Sequence, residues 1–263
     1  MKKLNNGIAV YDNENIDKQS IIFLHGYPFN HTMWDAQADY LNSNYRVIRY
    51  DLRGLGNSEV GDGQYTMEMM VDDLFYLINE LQLDKPVVCG LSMGGYITFR
   101  ALERDFNTFK GAILCDTHAF ADDTTAKLRR QGTIKQINEE GLLSFVKSFV
   151  TPLFGHETKT QNQGLIDKWI NICSSNSPIG VKGCQIAMLS RTETFSALKS
   201  ISIPVLCFGG NDDVSCPPKI IKEFADEFPK SDFAIVPRAG HMSPIENPEF
   251  VNVIIENFLK NLA

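Results

Sequence analysis

No run of lysine or arginine marks this chain, and its formal net charge at neutral pH is −7. Nucleic acid and anionic membrane surfaces are held through basic patches, so neither is an expected partner. Long apolar runs are missing too. The longest early one, Ile21-Ile22-Phe23-Leu24, is far too short to cross a bilayer. Lys2 and Lys3 resemble the start of a secretory leader, but no apolar stretch follows them. The expectation is a soluble, cytoplasmic protein. None of the six cysteines (Cys89, Cys115, Cys173, Cys184, Cys207 and Cys216) forms a Cys-x-x-Cys pair, which removes the usual spacing for zinc and for thioredoxin-type chemistry. They read as small core residues kept reduced. Internal repeats and low-complexity segments are absent, and only five histidines are available for acid–base work.

What remains is an ordinary globular composition, 43% hydrophobic and 22% charged over 263 residues, long enough to bury a large core. Short apolar runs recur at Ser20–His25, Tyr45–Tyr50, Val87–Leu91, Gly111–Asp116, Val205–Gly209 and Phe233–Val236. Most are apolar on successive residues, the pattern of strands covered on both faces in a parallel sheet. An earlier pair, near the chain start and Ile8–Tyr11, reads as an antiparallel edge. Helical patterns at Thr66–Leu81, Ser92–Arg104, Pro217–Phe228 and Pro248–Leu262 lie between or after the runs. The alternation predicts a doubly wound α/β domain with a mostly parallel sheet.

The rhythm breaks once. From about His118 to Ser200 no strand pattern occurs, and helices are expected around Ala121–Asn138, Glu140–Thr151, Gln163–Cys173 and Gly180–Ser190. A helical insertion between two sheet strands makes a lid over the strand ends. The expected division is a core of residues 1–117 and 201–263 with a cap of residues 118–200.

Gly90-Leu91-Ser92-Met93-Gly94-Gly95 follows one strand and opens one helix. This is Gly-x-Ser-x-Gly in the strand–turn–helix context that makes it a nucleophile elbow. The turn lifts the Ser92 hydroxyl away from the backbone, and side chains at the flanking glycines would collide with strand and helix. A serine needs a base. His241 follows the last strand at the strand-end rim where open α/β sheets carry their sites. The chain order Ser, acid, His then places the acid between Ser92 and His241, and the stretch from Val205 to Pro218 offers adjacent aspartates, Asp212 and Asp213. The turn His25-Gly26-Tyr27-Pro28 also follows a strand. There the Tyr27 backbone N–H, with that of Met93, is expected to form an oxyanion hole, while the His25 ring hydrogen-bonds within the turn. No second ligand stands at metal spacing from it, so no metal is expected.

These segments, together with Asp51–Ser58, Gly210–Pro217 and Gly240-His241 with Glu246-Asn247-Pro248, resemble the α/β-hydrolase superfamily over nearly the whole chain. Within it the chain looks most like small carboxylesterases, 3-oxoadipate enol-lactonases and cofactor-free haloperoxidase-type esterases. The family's usual Gly-x-x-Asp followed by proline four residues on fits Asp213, through Gly210 and Pro217. Asp212, which fits only the first half, stays the alternative. Haloalkane dehalogenases and epoxide hydrolases of this fold carry aspartate at the elbow, where this chain has Ser92. The resemblance implies cofactor-free hydrolysis of a small-molecule ester, of short to medium acyl length, through an acyl-enzyme. Enol-lactone, thioester or carbon–carbon bond hydrolysis, or a ligand receptor on the same fold, are the alternatives. Arg53 is expected to tie loops together. His118, Arg191, Phe145 and Trp169 are the candidate substrate contacts, Arg191 for a substrate carboxylate, although each cap helix must also bury one apolar stripe of its own. The oligomeric state is left open.

Overall fold

The structure, a computed structural model, describes residues 1–262. Eight strands form one sheet: β1 (Lys2–Lys3), β2 (Ala9–Asp12), β3 (Ser20–Leu24), β4 (Arg46–Tyr50), β5 (Val87–Leu91), β6 (Gly111–Cys115), β7 (Val205–Gly210) and β8 (Ser231–Val236). Their spatial order is β1-β2-β4-β3-β5-β6-β7-β8. β1 and β2 are antiparallel at one edge, and every pairing from β4 to β8 is parallel. The apolar runs become strands because both faces are covered: every residue of β3, β5, β6 and β7 is buried. β8 is the far edge strand, and its Ser231 and Asp232 are exposed.

Helices α1 (Asp35–Leu41), α2 (Met67–Glu80), α3 (Met93–Asp105), α9 (Pro218–Ala225), α10 (Ser243–Glu246) and α11 (Pro248–Asn261) belong to the sheet region. Thr66 caps α2 by accepting from the Met69 N–H, and Met67, Met70, Val71, Leu74, Leu77 and Ile78 form its buried stripe. α1 packs with α11, while α2 packs with α3 and Phe99 of α3 meets Phe224 of α9. α1 and the short α10 carried no clear pattern in the sequence.

The strand order positions the site. β3 lies between β4 and β5, so the chain leaves β3 in one direction and returns on its other side. Such a reversal opens a crevice at the carboxyl ends of the two strands. The register keeps these ends level: Leu24 pairs with Tyr50 and Gly90, Leu91 with Cys115, Cys115 with Phe208. The segments after β3, β5, β6, β7 and β8 therefore meet at one rim.

Between β6 and β7 the chain forms α4 (Thr124–Glu140), α5 (Leu142–Val150), α6 (His156–Gln161), α7 (Gln163–Ser174) and α8 (Pro178–Ser190), with no strand. Only α6 lacked an expected counterpart. The five helices lie over the rim and are bound to it at several points. The Asn176 amide donates to Pro28 O at 2.7 Å and accepts from Gly56 N at 2.8 Å. Gly180 approaches the Gly54 backbone so closely that a Cβ there would lie 1.8 Å from Gly54 O. Ala263, the last residue of the expected core, lies outside the described residues. No helix among the described residues is long and apolar enough to cross a membrane.

Candidate active site

Ser92 joins β5 to α3 with φ +51° and ψ −112°, a region that L-residues avoid. Holding it costs about 1–3 kcal/mol, recovered from the packing around it. The neighbouring glycines show how tight that packing is. A Cβ on Gly90 would lie 2.3 Å from Gly94 O, and one on Gly94 would lie 2.4 Å from Leu24 O. The elbow is pinned on both sides: Ser92 N donates to Cys115 O at 3.1 Å, and Thr117 Oγ1 donates to Ser92 O at 2.9 Å.

The turn after β3 sits against this elbow. A Cβ on Gly26 would come within 3.4 Å of the Ser92 Cβ. The His25 ring is fully committed, with Nδ1 at 2.8 Å from Gly26 O and Nε2 accepting from Leu52 N at 2.9 Å. That pattern puts the proton on Nδ1, and burial pushes the imidazole pKa down to about 4. The buried Tyr27 ring packs on Phe145 and Phe149.

His241 lies on the loop after β8. Its Nδ1 is 2.8 Å from Asp213 Oδ2, and Asp213 Oδ1 accepts from Ser215 N at 2.7 Å and Cys216 N at 2.9 Å. The other aspartate turns away: Asp212 Oδ2 accepts from His156 N in the cap at 3.2 Å. Burial opposes charge on His241, but the Asp213 carboxylate outweighs it and holds the imidazole well above the usual histidine range. Asp213 loses solvation by burial yet stays below the usual carboxylate range, through His241 and the two backbone N–H groups.

Ser92, His241 and His118 face one cavity of about 950 Å³ between rim and cap, shared with Phe149, Leu153 and Met188. A helix N-terminus at Met93, a serine on a strained elbow and a histidine held by a buried carboxylate make a site suited to acyl transfer.

Residues 19–248 match the family model described as the alpha/beta hydrolase fold. The chain belongs to the α/β-hydrolase family. This α/β hydrolase is 34% identical to the thermophilic esterase from Thermogutta terrifontis, whose structure with malate bound superposes with a TM-score of 0.91 and covers 97% of this chain and 93% of that one. It is 27% identical to 3-oxoadipate enol-lactonase 2 of Acinetobacter baylyi over 93% of this chain and 90% of that protein. The enol-lactonase from Burkholderia xenovorans LB400 superposes with a TM-score of 0.89 over 96% of each chain, and at 22% identity it speaks for the fold alone.

Three candidate substrate contacts need correction. Arg191 does not line the Ser92 cavity. Its Nη1 lies 2.7 Å from an Asp122 carboxylate oxygen and 2.9 Å from Met188 O, its Nη2 donates to Phe120 O, and its guanidinium lies 4.0 Å over the Tyr96 ring. Most of this cation's hydrogen-bonding capacity is spent inside the protein rather than on the cavity that Ser92 faces. Phe145 and Trp169 are also off the cavity wall: each is 2% exposed and fills the interior between cap and core, Trp169 against Phe29. Amphipathic helices bury such residues to fold at all. His118 does line the cavity, 3.2 Å from Tyr96 Oη through Nε2, and burial with nearby Arg191 lowers its pKa to about 4. Arg53 pairs with Asp73, tying the loop after β4 to helix α2 rather than to another loop.

Four features escaped sequence reading. Asp116, directly after β6, lies buried near Asp213 and His241, accepting from Gly210 N at 2.8 Å and from Ser243 Oγ. Burial and the nearby Asp213 charge push it well above the usual carboxylate range. Its position at a strand end was the available signal. Arg130 reaches from α4 to Asp122 at the cavity wall, so one buried aspartate joins two arginines. Glu246 receives Gly155 N at 2.7 Å, Gly240 N at 2.8 Å and Thr158 Oγ1 at 2.6 Å, and His241 N donates to Leu153 O at 2.8 Å. Finally, Cys216 joins the cavity wall beside His241.

Proposed function

We propose that this protein is a serine carboxylesterase that hydrolyses small carboxylic esters through an acyl-enzyme on Ser92. The observation that carries this reading is one cavity faced by both Ser92, on its strained elbow, and His241, held by Asp213. His241 takes the Ser92 proton as Oγ attacks the ester carbonyl. Asp213 keeps the proton on Nδ1, so that Nε2 is the basic nitrogen, and stabilises the imidazolium that forms. The negative oxygen is received by the Tyr27 and Met93 backbone N–H groups. Met93 opens α3, so its N–H has no partner within the helix, and the helix dipole favours the charge. His241 then protonates the leaving alcohol, and water releases the acyl group by the same route. The 34% identical esterase from Thermogutta terrifontis supports the substrate class.

The name of the Acinetobacter baylyi relative favours a second reading, hydrolysis of an enol-lactone by the same residues. The test is a panel of p-nitrophenyl esters of graded chain length beside an enol-lactone. Wild type turns over short esters, and Ser92→Ala loses about 10⁶-fold in turnover. Ester turnover that survives Ser92→Ala rules out the acyl-enzyme, and turnover of the lactone alone selects the second reading. The raised His241 pKa sets the pH dependence. The base works only when neutral, so turnover falls as pH drops through that pKa.

A further inference from the structure

We infer that Asp213, Cys216 and His241 form an inhibitory site for a thiophilic divalent cation of the zinc class. A carboxylate oxygen, the Cys216 Sγ and a ring nitrogen of His241 all lie within 4.8 Å of one another, and all three residues are buried. One of the spacings is set by a hydrogen bond, Asp213 Oδ2 lying 2.8 Å from His241 Nδ1. Cys216 is tied to the same carboxylate through its backbone, its N donating to Asp213 Oδ1 at 2.9 Å. Cys216 and His241 both face the Ser92 cavity, which leaves room for water as a fourth ligand. Thiolate, imidazole and carboxylate together are a donor set for zinc or cadmium and a poor one for magnesium or calcium.

Charge favours occupancy. On binding, the Cys216 thiol releases its proton, and thiolate, carboxylate and divalent cation sum to zero in a buried place. Either ring nitrogen silences the base. A cation on Nε2 occupies the lone pair that would take the Ser92 proton. A cation on Nδ1 binds the other tautomer: the Nδ1 proton is released to solvent and the neutral ring takes one up on Nε2, so Nε2 is no longer basic and the hydrogen bond to Asp213 is lost. All six cysteines are buried, and Cys216 is the one that lines the Ser92 cavity; among the described residues no other trio of His, Cys, Asp or Glu converges in this way.

Cadmium is the probe, because its bond to a thiolate gives an ultraviolet charge-transfer band. Wild-type protein takes up one equivalent with that band and loses ester hydrolysis, and EDTA restores it. Cys216→Val, and Cys216→Ser as a second variant, lack the band and need at least about tenfold more cadmium for half inhibition, since even a lost outer contact costs about that much affinity. Each variant is compared with its own metal-free rate. Equal cadmium uptake and equal inhibition in folded Cys216 variants overturn the site, as does a wild type without the band. The inhibition rests on the proposed esterase reading but the band does not: a band in a protein without ester turnover keeps the site and sinks that reading instead.

Discussion

The cavity has two walls of different construction. The lower wall is the sheet rim, where Ser92, Asp213 and His241 sit on turns set by strand ends. The upper wall is the cap, where α4 buries only Ile137 along its length, while α5 and α7 bury full stripes. At the rim the backbone dictates the residue: a Cβ on Gly90 or Gly94 would strike a carbonyl oxygen. In the cap, packing asks only for apolar side chains of suitable size, so many sequences satisfy it. Chemistry is written in the first wall and fit in the second.

Substitutions on the two walls should therefore differ in kind. The largest effect belongs to the rim. Asp213→Asn should cost about 10⁴-fold in turnover with little loss of stability, whereas Asp212→Asn should change turnover only a few-fold, since that carboxylate meets His156 N instead. Steady-state kinetics with thermal melts decides it, and a crippled Asp212→Asn would break the comparison. Next comes the cap's charged joint. Asp122→Ala leaves Arg130 and Arg191 facing each other with their shared carboxylate gone, and should cost about 3–5 kcal/mol in chemical denaturation. Trp169→Leu, in the cap's apolar filling, should cost about 2 kcal/mol. Its kcat/KM on a short ester should stay within about twofold, and a larger loss there would mean that cap packing reaches Ser92, Asp213 and His241.

The smallest effect sharpens the contrast through pH. His118 stays neutral in the folded chain down to about 4, while an unfolded histidine takes its proton near 6.5. The unfolded chain then binds more protons in that window. The contribution is full above pH 6.5 and is lost as pH falls toward 4. His25 behaves alike, and His241, with its raised pKa, has the opposite sign: its contribution is present below 6.5 and fades as pH rises through the raised value. In His118→Gln the slope of stability against pH between 6.5 and 4 should drop by at most about 1.4 kcal/mol per unit. An unchanged slope would put His118 in solvent.

The same division explains what the sequence displayed. β3, β5, β6 and β7 were visible because burial on both faces leaves unbroken apolar runs, and the elbow because glycine is compulsory there. Arg191 misled because an arginine at a helix end looks the same whether it faces a substrate or an aspartate folded in from Asp122. Phe145 and Trp169 misled because a stripe says that a face is buried but not against what. Asp116 and Cys216 stood beside readable motifs, yet their meaning lies in contacts that cross between strand ends.

One stitch between the walls has a kinetic consequence. His241 N holds Leu153 O, and Glu246 grips Gly155 and Gly240 together. The cap is thus riveted to the loop that carries the histidine. It cannot lift along this border without letting the imidazole drift. Of the cap helices that line the cavity, α4 is the one that buries a single residue, Ile137, and so is held least by apolar packing. Any loosening of the cap at this stitch would therefore be felt at the imidazole, whereas loosening at α4 would not pull on that loop directly.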